Sequence, residues 1–487
     1  MSYLDLTIVE LHKAIIEKKV TSLELVQEAL QRAREDTNNA FEYILEREAL
    51  EKVKNLDYSK IDNPFFGIPV VIKDNYSLKG VVTTAGSNIL NDYVPVFSAE
   101  VCQRLEDSGA IIIGKATLDE LAMGGTGTTG HKGISYNPWD EEHEHLIGGS
   151  SCGSAIAVAS SIVPFSLGSD TGDSVRKPAS YAGLVGFKPS WGRISRYGLF
   201  PFAVSLDHVA YFTRSVMDSA LSLNLLAGRD DKDSSSSFKD VIDYTLHLND
   251  SIKGKRIAVI KEIINSISDE TILKTFNKTL EYLKNEGAIV EYVSFNIDLL
   301  KAIYPTYIVI SSAEATSNNA NLDGIKFGPR SEGNTYEEVM LNSRTKGFGE
   351  LIKRRFVIGS FSLLSENQHE LFLRAQKCRR LIVNETNRIL KEYDVIYCPA
   401  SPTVAPSIHS GLSNKLSLEY LIADNYLAIA NMGGLPSITI PIGFKDNLPF
   451  GGNLISKAFE EETVLNIANI LEKHTGYYNL STKGGRK

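Results

Sequence analysis

The sequence predicts an α/β protein, built as a single large domain with a mixed, twisted central β-sheet covered by helices on both faces. The first indication is that short apolar runs alternate with helical patterns between residues 64 and 160. A second strand–helix–strand block, over 256–295, is expected to extend the same sheet. The chain has 487 residues, 43% of them hydrophobic, which is enough to bury a large core. We predict one domain over 1–480, with a core at about 60–220 and a second half at 250–478.

Two helices are predicted at the start of the domain, over about 7–35. Thr7 with Glu10, and Thr21 with Glu24, each have the spacing of a capping box, in which the two side chains satisfy backbone N–H groups at a helix start. Apolar residues then recur at helical spacing after each box. This pattern predicts a helical hairpin whose apolar faces pack on the core.

The first buried strands are predicted at 70–72 and 111–114, where β-branched apolar residues form short runs. Residues 100–108 between them have a helical pattern, and Gly109 is expected to end that helix. Strand, helix and strand in this order are typical of a parallel pairing within a layered α/β domain.

The rest of the chain predicts mostly helices over 301–375, and a loop followed by a buried strand over 431–441. Small and basic residues from Ser481 onward predict a disordered tail, 481–487. An acidic and histidine-containing run at 140–145 is interpreted as a solvated loop, because two His at i,i+2 are weak metal-ligand evidence. We therefore predict no metal site.

Composition excludes several classes of protein. The net charge of −8 is a poor electrostatic match for nucleic acid. The four cysteines form no CxxC pair, which favours reduced thiols. The N-terminus lacks the apolar segment of a signal peptide, and no run of about 18 apolar residues occurs. We expect a cytoplasmic protein without a membrane span.

The stretch most informative about function contains two turns of small residues, at 148–154 and 169–174. They enclose an apolar, alanine-rich segment that predicts a short buried helix and an extended return. This fold-back would bring Ser150 and Ser174 side by side. The glycines allow close backbone approach and leave N–H groups free to face a ligand.

A serine that attacks a carbonyl needs a base, and this stretch contains no histidine. Lys73 ends an apolar, β-branched run, where an ammonium is costly unless it is paired or loses its proton. On its own, Lys73 fits better as a strand-end lysine whose amine reaches water than as a catalytic base. Considered with the two serine turns, it becomes the best available base.

Lys73, the Gly-Gly-Ser-Ser turn at 148–151 and the turn at 170–174 together resemble the amidase signature family, over about 6–478. The resemblance implies an amidase signature fold and a Ser–Ser–Lys triad. Ser174 would be the nucleophile, Lys73 the general base, and Ser150 the serine between them, at a non-proline cis peptide. The implied oxyanion hole consists of the backbone N–H groups of Thr171, Gly172, Asp173 and Ser174.

Further segments, including 186–189, 192–199 and 323–328, resemble the A-subunit branch of the family, found in amidotransferases that act on glutamyl-tRNA(Gln). This implies a glutaminase that supplies ammonia to a B subunit, with a small C subunit completing a heterotrimer. It also implies that tRNA binds mainly to the B subunit. No cofactor is expected in this chain, while ATP and Mg²⁺ are expected at the partner.

The same resemblance implies a pocket for glutamine. Arg355 would bind the α-carboxylate, Asp424 the α-ammonium, and Tyr307 would line the pocket. A guanidinium suits a carboxylate because it offers two parallel donors. Without the resemblance, Arg355 would fit a solvated helix face and Asp424 a helix-surface acid.

Two alternatives share the same residues. A stand-alone amidase acting on another small amide would not need Arg355 or Asp424. A silenced scaffold protein is the other, because Asp173 stands where the family usually has glycine, beside a developing oxyanion. A nucleotide-binding protein is less favoured, because the sequence has no GxxxxGK[ST] loop.

Overall fold

An eleven-stranded mixed β-sheet runs through the computed structural model, which describes residues 2–410, 417 and 419–483. Its strands, in chain order, are β1 Phe41–Ile44, β2 Pro69–Lys73, β3 Ile111–Ala116, β4 Ser166–Asp170, β5 Val185–Lys188, β6 His208–Thr213, β7 Arg256–Ile260, β8 Ile289–Val293, β9 Val395–Pro399, β10 Ser437–Lys445 and β11 Leu448–Ser456. Their spatial order is β1-β3-β2-β4-β6-β5-β10-β11-β9-β7-β8. The predicted single sheet is therefore confirmed, including the second strand block.

Parallel pairing occurs near both ends of this sheet and antiparallel pairing in its middle, while the edge strand β1 runs antiparallel to β3. Strand β2 pairs in parallel with β3 and β4, and β7 does so with β8 and β9. Between them, the neighbours from β4 to β9 run antiparallel. The sheet is mixed, as predicted.

Helices pack against both faces of the sheet. They are α1 Ile8–Ile16, α2 Ser22–Arg34, α3 Glu46–Lys54, α4 Glu100–Asp107, α5 Cys152–Ala159, α6 Arg176–Ala182, α7 Val216–Leu226, α8 Lys261–Asn265, α9 Glu270–Asn285, α10 Ile297–Lys301, α11 Ile303–Asn318, α12 Tyr336–Gly347, α13 Glu350–Leu363, α14 Arg374–Glu392, α15 Ala428–Gly433 and α16 Glu461–Thr475. Both predicted capping boxes form, at the starts of α1 and α2.

Alternation along β7 shows how the two faces are buried. Ile257 and Val259 belong to a hydrophobic cluster that includes residues of α9. Ala258 and Ile260 belong to a second cluster, which includes residues of α11 and α14. Because successive side chains of a strand point to opposite faces, the sheet has a core on each side.

The structure departs from the sequence prediction at two places near the C-terminus. Residues 428–433 form helix α15 before strand β10, where a loop was predicted from residue 431. The predicted disordered tail is wrong at its start, because Ser481 is buried and the Thr482 N–H donates to the Ala159 carbonyl. Residues 484–487 lie outside the described residues. None of the helices in the described part of the chain is long and apolar enough to cross a bilayer.

Candidate active site

The amine of Lys73 lies at the end of β2 and is completely buried. Its Nζ contacts three serine hydroxyls, at 2.8 Å from Ser150 Oγ, 2.9 Å from Ser151 Oγ and 3.0 Å from Ser169 Oγ. Burial of a strand end therefore leaves this lysine with hydroxyl partners but no carboxylate in contact among the described residues. The sequence predicted the pairing with Ser150 and missed the other two serines.

Burial lowers the pKa of the Lys73 amine from 10.5 to about 7, because an ammonium loses its hydration there. The nearby Asp119 and Asp170 carboxylates act in the opposite direction but do not overcome the burial. Near neutral pH, a large fraction of Lys73 is thus the neutral amine. A neutral amine at hydrogen-bond distance from Ser150 can accept that hydroxyl's proton.

The turn carrying Ser150 lies against the turn carrying Ser174. The Gly149–Ser150 peptide is cis, as the family resemblance implies. The Ser151 N–H donates to the Ser174 carbonyl at 3.2 Å, which joins the two turns through their backbones. Ser174 is 4% exposed, and its hydroxyl has no hydrogen-bond partner within the described part of the chain.

The loop before Ser174 is fixed by a buried ion pair. The Arg176 guanidinium contacts Asp170 twice, with Nη2 2.9 Å from Oδ1 and Nε 3.1 Å from Oδ2, and both side chains are fully buried. Burial alone would raise the pKa of Asp170, but the Arg176 charge holds it well below its usual range. Arg176 also donates to the Gly172 carbonyl and to Asn431 Oδ1.

Four consecutive backbone N–H groups in this loop, at residues 171–174, have no acceptor within the described residues. The Thr171 hydroxyl donates to Asp207 at 2.7 Å, which holds the start of the loop in place. Unpaired and rigidly held N–H groups beside a nucleophile can stabilise a developing oxyanion. This geometry is compatible with the predicted oxyanion hole.

A cavity of about 30 Å³ adjoins the loop, and Tyr307 lines it, as the resemblance implies. The other lining residues are Gly172, Asp173, Ile303, Tyr304, Asn425 and Ala428. A Cβ atom added to Gly172 would lie 3.1 Å from the Tyr307 ring. The tyrosine therefore packs directly over the candidate oxyanion loop.

The other two predicted substrate ligands are Arg355 and Asp424. They differ in whether a residue of this chain already occupies their charged groups. Arg355 Nη1 donates weakly to Ser311 Oγ at 3.4 Å, and its Nε is buried without a partner among the described residues. Asp424 Oδ1 lies 3.1 Å from Lys177 Nζ, so this carboxylate already has a cation partner. The Arg355 guanidinium thus keeps an unused donor.

The comparison with known proteins accords with this arrangement. The family described as Amidase matches residues 24–465 of the chain. The chain belongs to the amidase signature family. The A subunit of glutamyl-tRNA(Gln) amidotransferase from Pediococcus pentosaceus is 40% identical over 98% of both chains.

The A subunit of the same name from Streptococcus pneumoniae is also 40% identical over 98% of both chains. Among solved structures, the A subunit of glutamyl-tRNA(Gln) amidotransferase from Thermotoga maritima superimposes with a TM-score of 0.79 at 35% identity. That superposition covers 97% of this chain and 95% of the other.

Asp119, like Ser151 and Ser169, is a residue of this site that the sequence analysis missed. The Asp119 carboxylate accepts hydrogen bonds from the backbone N–H groups of 126–129. It lies so close to Gly149 that an added Cβ would be 2.0 Å from Oδ2. The Gly-Gly pair before Ser150 was the available signal, since it indicates a close backbone approach.

The acidic and histidine-containing run at 140–145 contains an internal hydrogen bond, with His145 Nδ1 2.7 Å from Asp140 Oδ2. Over 2–410, 417 and 419–483, no group of three or more His, Cys, Asp and Glu side chains is placed to hold a metal ion. The four cysteines are free thiols.

Proposed function

We propose that this chain hydrolyses the side-chain amide of glutamine and supplies the ammonia to a partner protein, which converts Glu-tRNA(Gln) to Gln-tRNA(Gln). The observation that carries the proposal is the contact between the buried Lys73 amine and Ser150, in a turn bonded to that of Ser174. The 40% identity to proteins named as the A subunit of glutamyl-tRNA(Gln) amidotransferase supports the choice of substrate.

In the first half of the reaction, Ser174 Oγ attacks the amide carbon of glutamine. Its proton passes to Ser150 Oγ while the Ser150 proton passes to the neutral Lys73 amine, 2.8 Å away. The negative charge on the amide oxygen is stabilised by the free N–H groups of 171–174. The C–N bond then breaks, ammonia takes the proton back through the same relay, and a glutamyl ester remains on Ser174.

In the second half, a water molecule attacks the ester carbon. It loses a proton through Ser150 to Lys73, and the ester bond to Ser174 breaks. Ser174 regains a proton from the relay, and glutamate leaves. The two halves use the same residues, so the lowered pKa of Lys73 makes a neutral amine available in both.

Glutamine is recognised through its charged end. Arg355 binds the α-carboxylate. This role fits the buried Arg355 Nε, which has no partner among the described residues. Asp424 binds the α-ammonium, and Tyr307 forms one wall of the pocket. These contacts would separate glutamine from simple acyl amides.

The ammonia acceptor requires other chains. We propose a heterotrimer with B and C subunits, in which the B subunit binds tRNA and uses ATP and Mg²⁺ to activate the glutamyl group. The charge of −8 on this chain supports assigning most tRNA contacts to a partner, because phosphates repel an acidic surface.

The test is glutamate release from glutamine by the purified chain, alone and with the B and C subunits, beside Ser174→Ala. Release that requires Ser174 and increases with the partners supports the proposal. Full activity on unrelated amides without partners would instead indicate a stand-alone amidase. No release from an assembled wild-type complex would indicate a silenced scaffold.

A further inference from the structure

Lys177 joins two carboxylates, one of which, Asp173, lines the cavity of the candidate active site. It lies in α6, one helical turn after Asp173, and its ammonium is 2.8 Å from Asp173 Oδ2. The same ammonium is 3.1 Å from Asp424 Oδ1 and also donates to the Asp424 carbonyl. Its three N–H donors therefore match three acceptors, and its side chain is only 10% exposed.

Asp173 occupies an unfavourable position for a carboxylate. It directly precedes Ser174, and its own N–H belongs to the free set at 171–174 among the described residues. Its side chain is 22% exposed and lines the cavity beside Tyr307. A negative charge there opposes the negative charge that develops on the substrate oxygen during attack.

We propose that Lys177 is a positioning residue that neutralises Asp173, and so allows the nucleophile loop to carry a carboxylate beside the oxyanion hole. Asp424 holds the far side of the same ammonium and keeps it over Asp173. This proposal rests on the proposed function, because the oxyanion in question forms on the substrate amide.

The sharing of Lys177 also has a consequence for binding. The two carboxylates carry one more negative charge than the single lysine neutralises, so the cluster retains one negative charge for a substrate ammonium. Loss of Lys177 leaves Asp424 free of its competing cation, and the same loss exposes Asp173 to the oxyanion. Loss of Lys177 is therefore expected to strengthen the binding of glutamine and to slow its turnover.

The first test uses a probe without an ammonium group, an alkyl fluorophosphonate, on the complex with the B and C subunits. Ser174 Oγ forms a bond to phosphorus, the P–F bond breaks, fluoride leaves, and the serine proton passes to the Ser150–Lys73 relay. We expect Lys177→Met to be labelled about tenfold more slowly than wild type. Asp173→Asn/Lys177→Met should return to within about threefold of the wild-type rate.

The matched control is Asp424→Asn/Lys177→Met, which removes the same charge from the other side of the lysine and should stay slow. Equal recovery by both double variants, or a wild-type rate for Lys177→Met, would overturn the proposal. Thermal unfolding is measured for each variant, and if Lys177→Met alone fails to fold, the comparison of the two double variants still decides.

The second test is glutamine turnover. Lys177→Met should lower kcat about tenfold without raising KM, and the thermal unfolding curve shows whether the variant is folded in this assay. A raised KM contradicts the proposal. If wild type reacts with the fluorophosphonate but releases no glutamate, the proposed function fails, and the labelling rates still decide the role of Lys177.

Discussion

The pH dependence of glutamine hydrolysis follows directly from the burial of Lys73. A lysine with its ordinary pKa of 10.5 would be neutral in about 1 of 3,000 molecules at pH 7. With a pKa of about 7, roughly half of the Lys73 amines are neutral at that pH. The difference corresponds to ~5 kcal/mol in favour of the neutral base, at 1.36 kcal/mol for each tenfold step.

Because the neutral amine is the active form, the rate should increase as pH rises through the folded-state pKa. We expect kcat/KM for glutamate release to increase about tenfold per pH unit below pH 6, and to level off above pH 8. The assay is initial-rate glutamate release between pH 5.5 and 9.5 at constant ionic strength. Lys73→Arg, which stays protonated over this range, should have no active plateau.

Two results would contradict this pH dependence. A rate that keeps rising to pH 9.5 would mean that Lys73 has an ordinary pKa despite its burial. A rate independent of pH, retained by Lys73→Arg, would mean that another group accepts the serine proton.

Three further predictions concern residues around the triad, and each has its own control variant. Gly149→Ala should abolish glutamate release, because the added Cβ would lie 2.0 Å from Asp119 Oδ2. Gly125→Ala is the control and should retain the wild-type rate, because the space around Gly125 is open. Similar rates for the two variants would contradict the packing described here. Arg176→Met should lower the free energy of unfolding in urea by about 3–5 kcal/mol, because it leaves Asp170 charged and buried. The free energy of unfolding should fall by less in Asp170→Asn/Arg176→Met than in Arg176→Met. An equal or larger decrease would argue against the ion pair as the cause. Arg355→Met should raise KM for glutamine at least tenfold with a smaller change in kcat, because Arg355 Nε is a buried donor without a partner among the described residues. Arg354→Met, at the exposed neighbouring position, should leave KM within twofold of wild type. An unchanged KM for Arg355→Met would exclude that residue from substrate binding.

Local sequence signals were sufficient for much of the fold. The capping residues Thr7 and Thr21 begin helices as predicted, because their partners lie three residues away and the interaction is local. The apolar run ending at Lys73 forms a buried strand because a continuous β-branched segment fits the interior of a sheet. Helix α15 was missed because a short segment that ends in glycine and is soon followed by proline resembles a loop.

The candidate site was predictable only in part. Ser150 and Lys73 were placed together from the character of their segments and from a family resemblance. The contacts of Lys73 with Ser169 and of Lys177 with Asp424 join residues 96 and 247 positions apart, which no local pattern reveals. Asp173 was identified from the sequence as a carboxylate beside the developing oxyanion. The structure shows that Arg176 pairs with Asp170 and leaves Lys177 for Asp173.

The proposed mechanism requires that glutamine acylates Ser174 while Ser150 and Lys73 accept the serine proton. The most direct measurement is an acid quench of the assembled complex during turnover of radiolabelled glutamine, followed by peptide mapping. We predict a labelled glutamyl ester on Ser174 in wild type and no label in Ser174→Ala. Label on another residue, or glutamate release by Ser174→Ala, would contradict it.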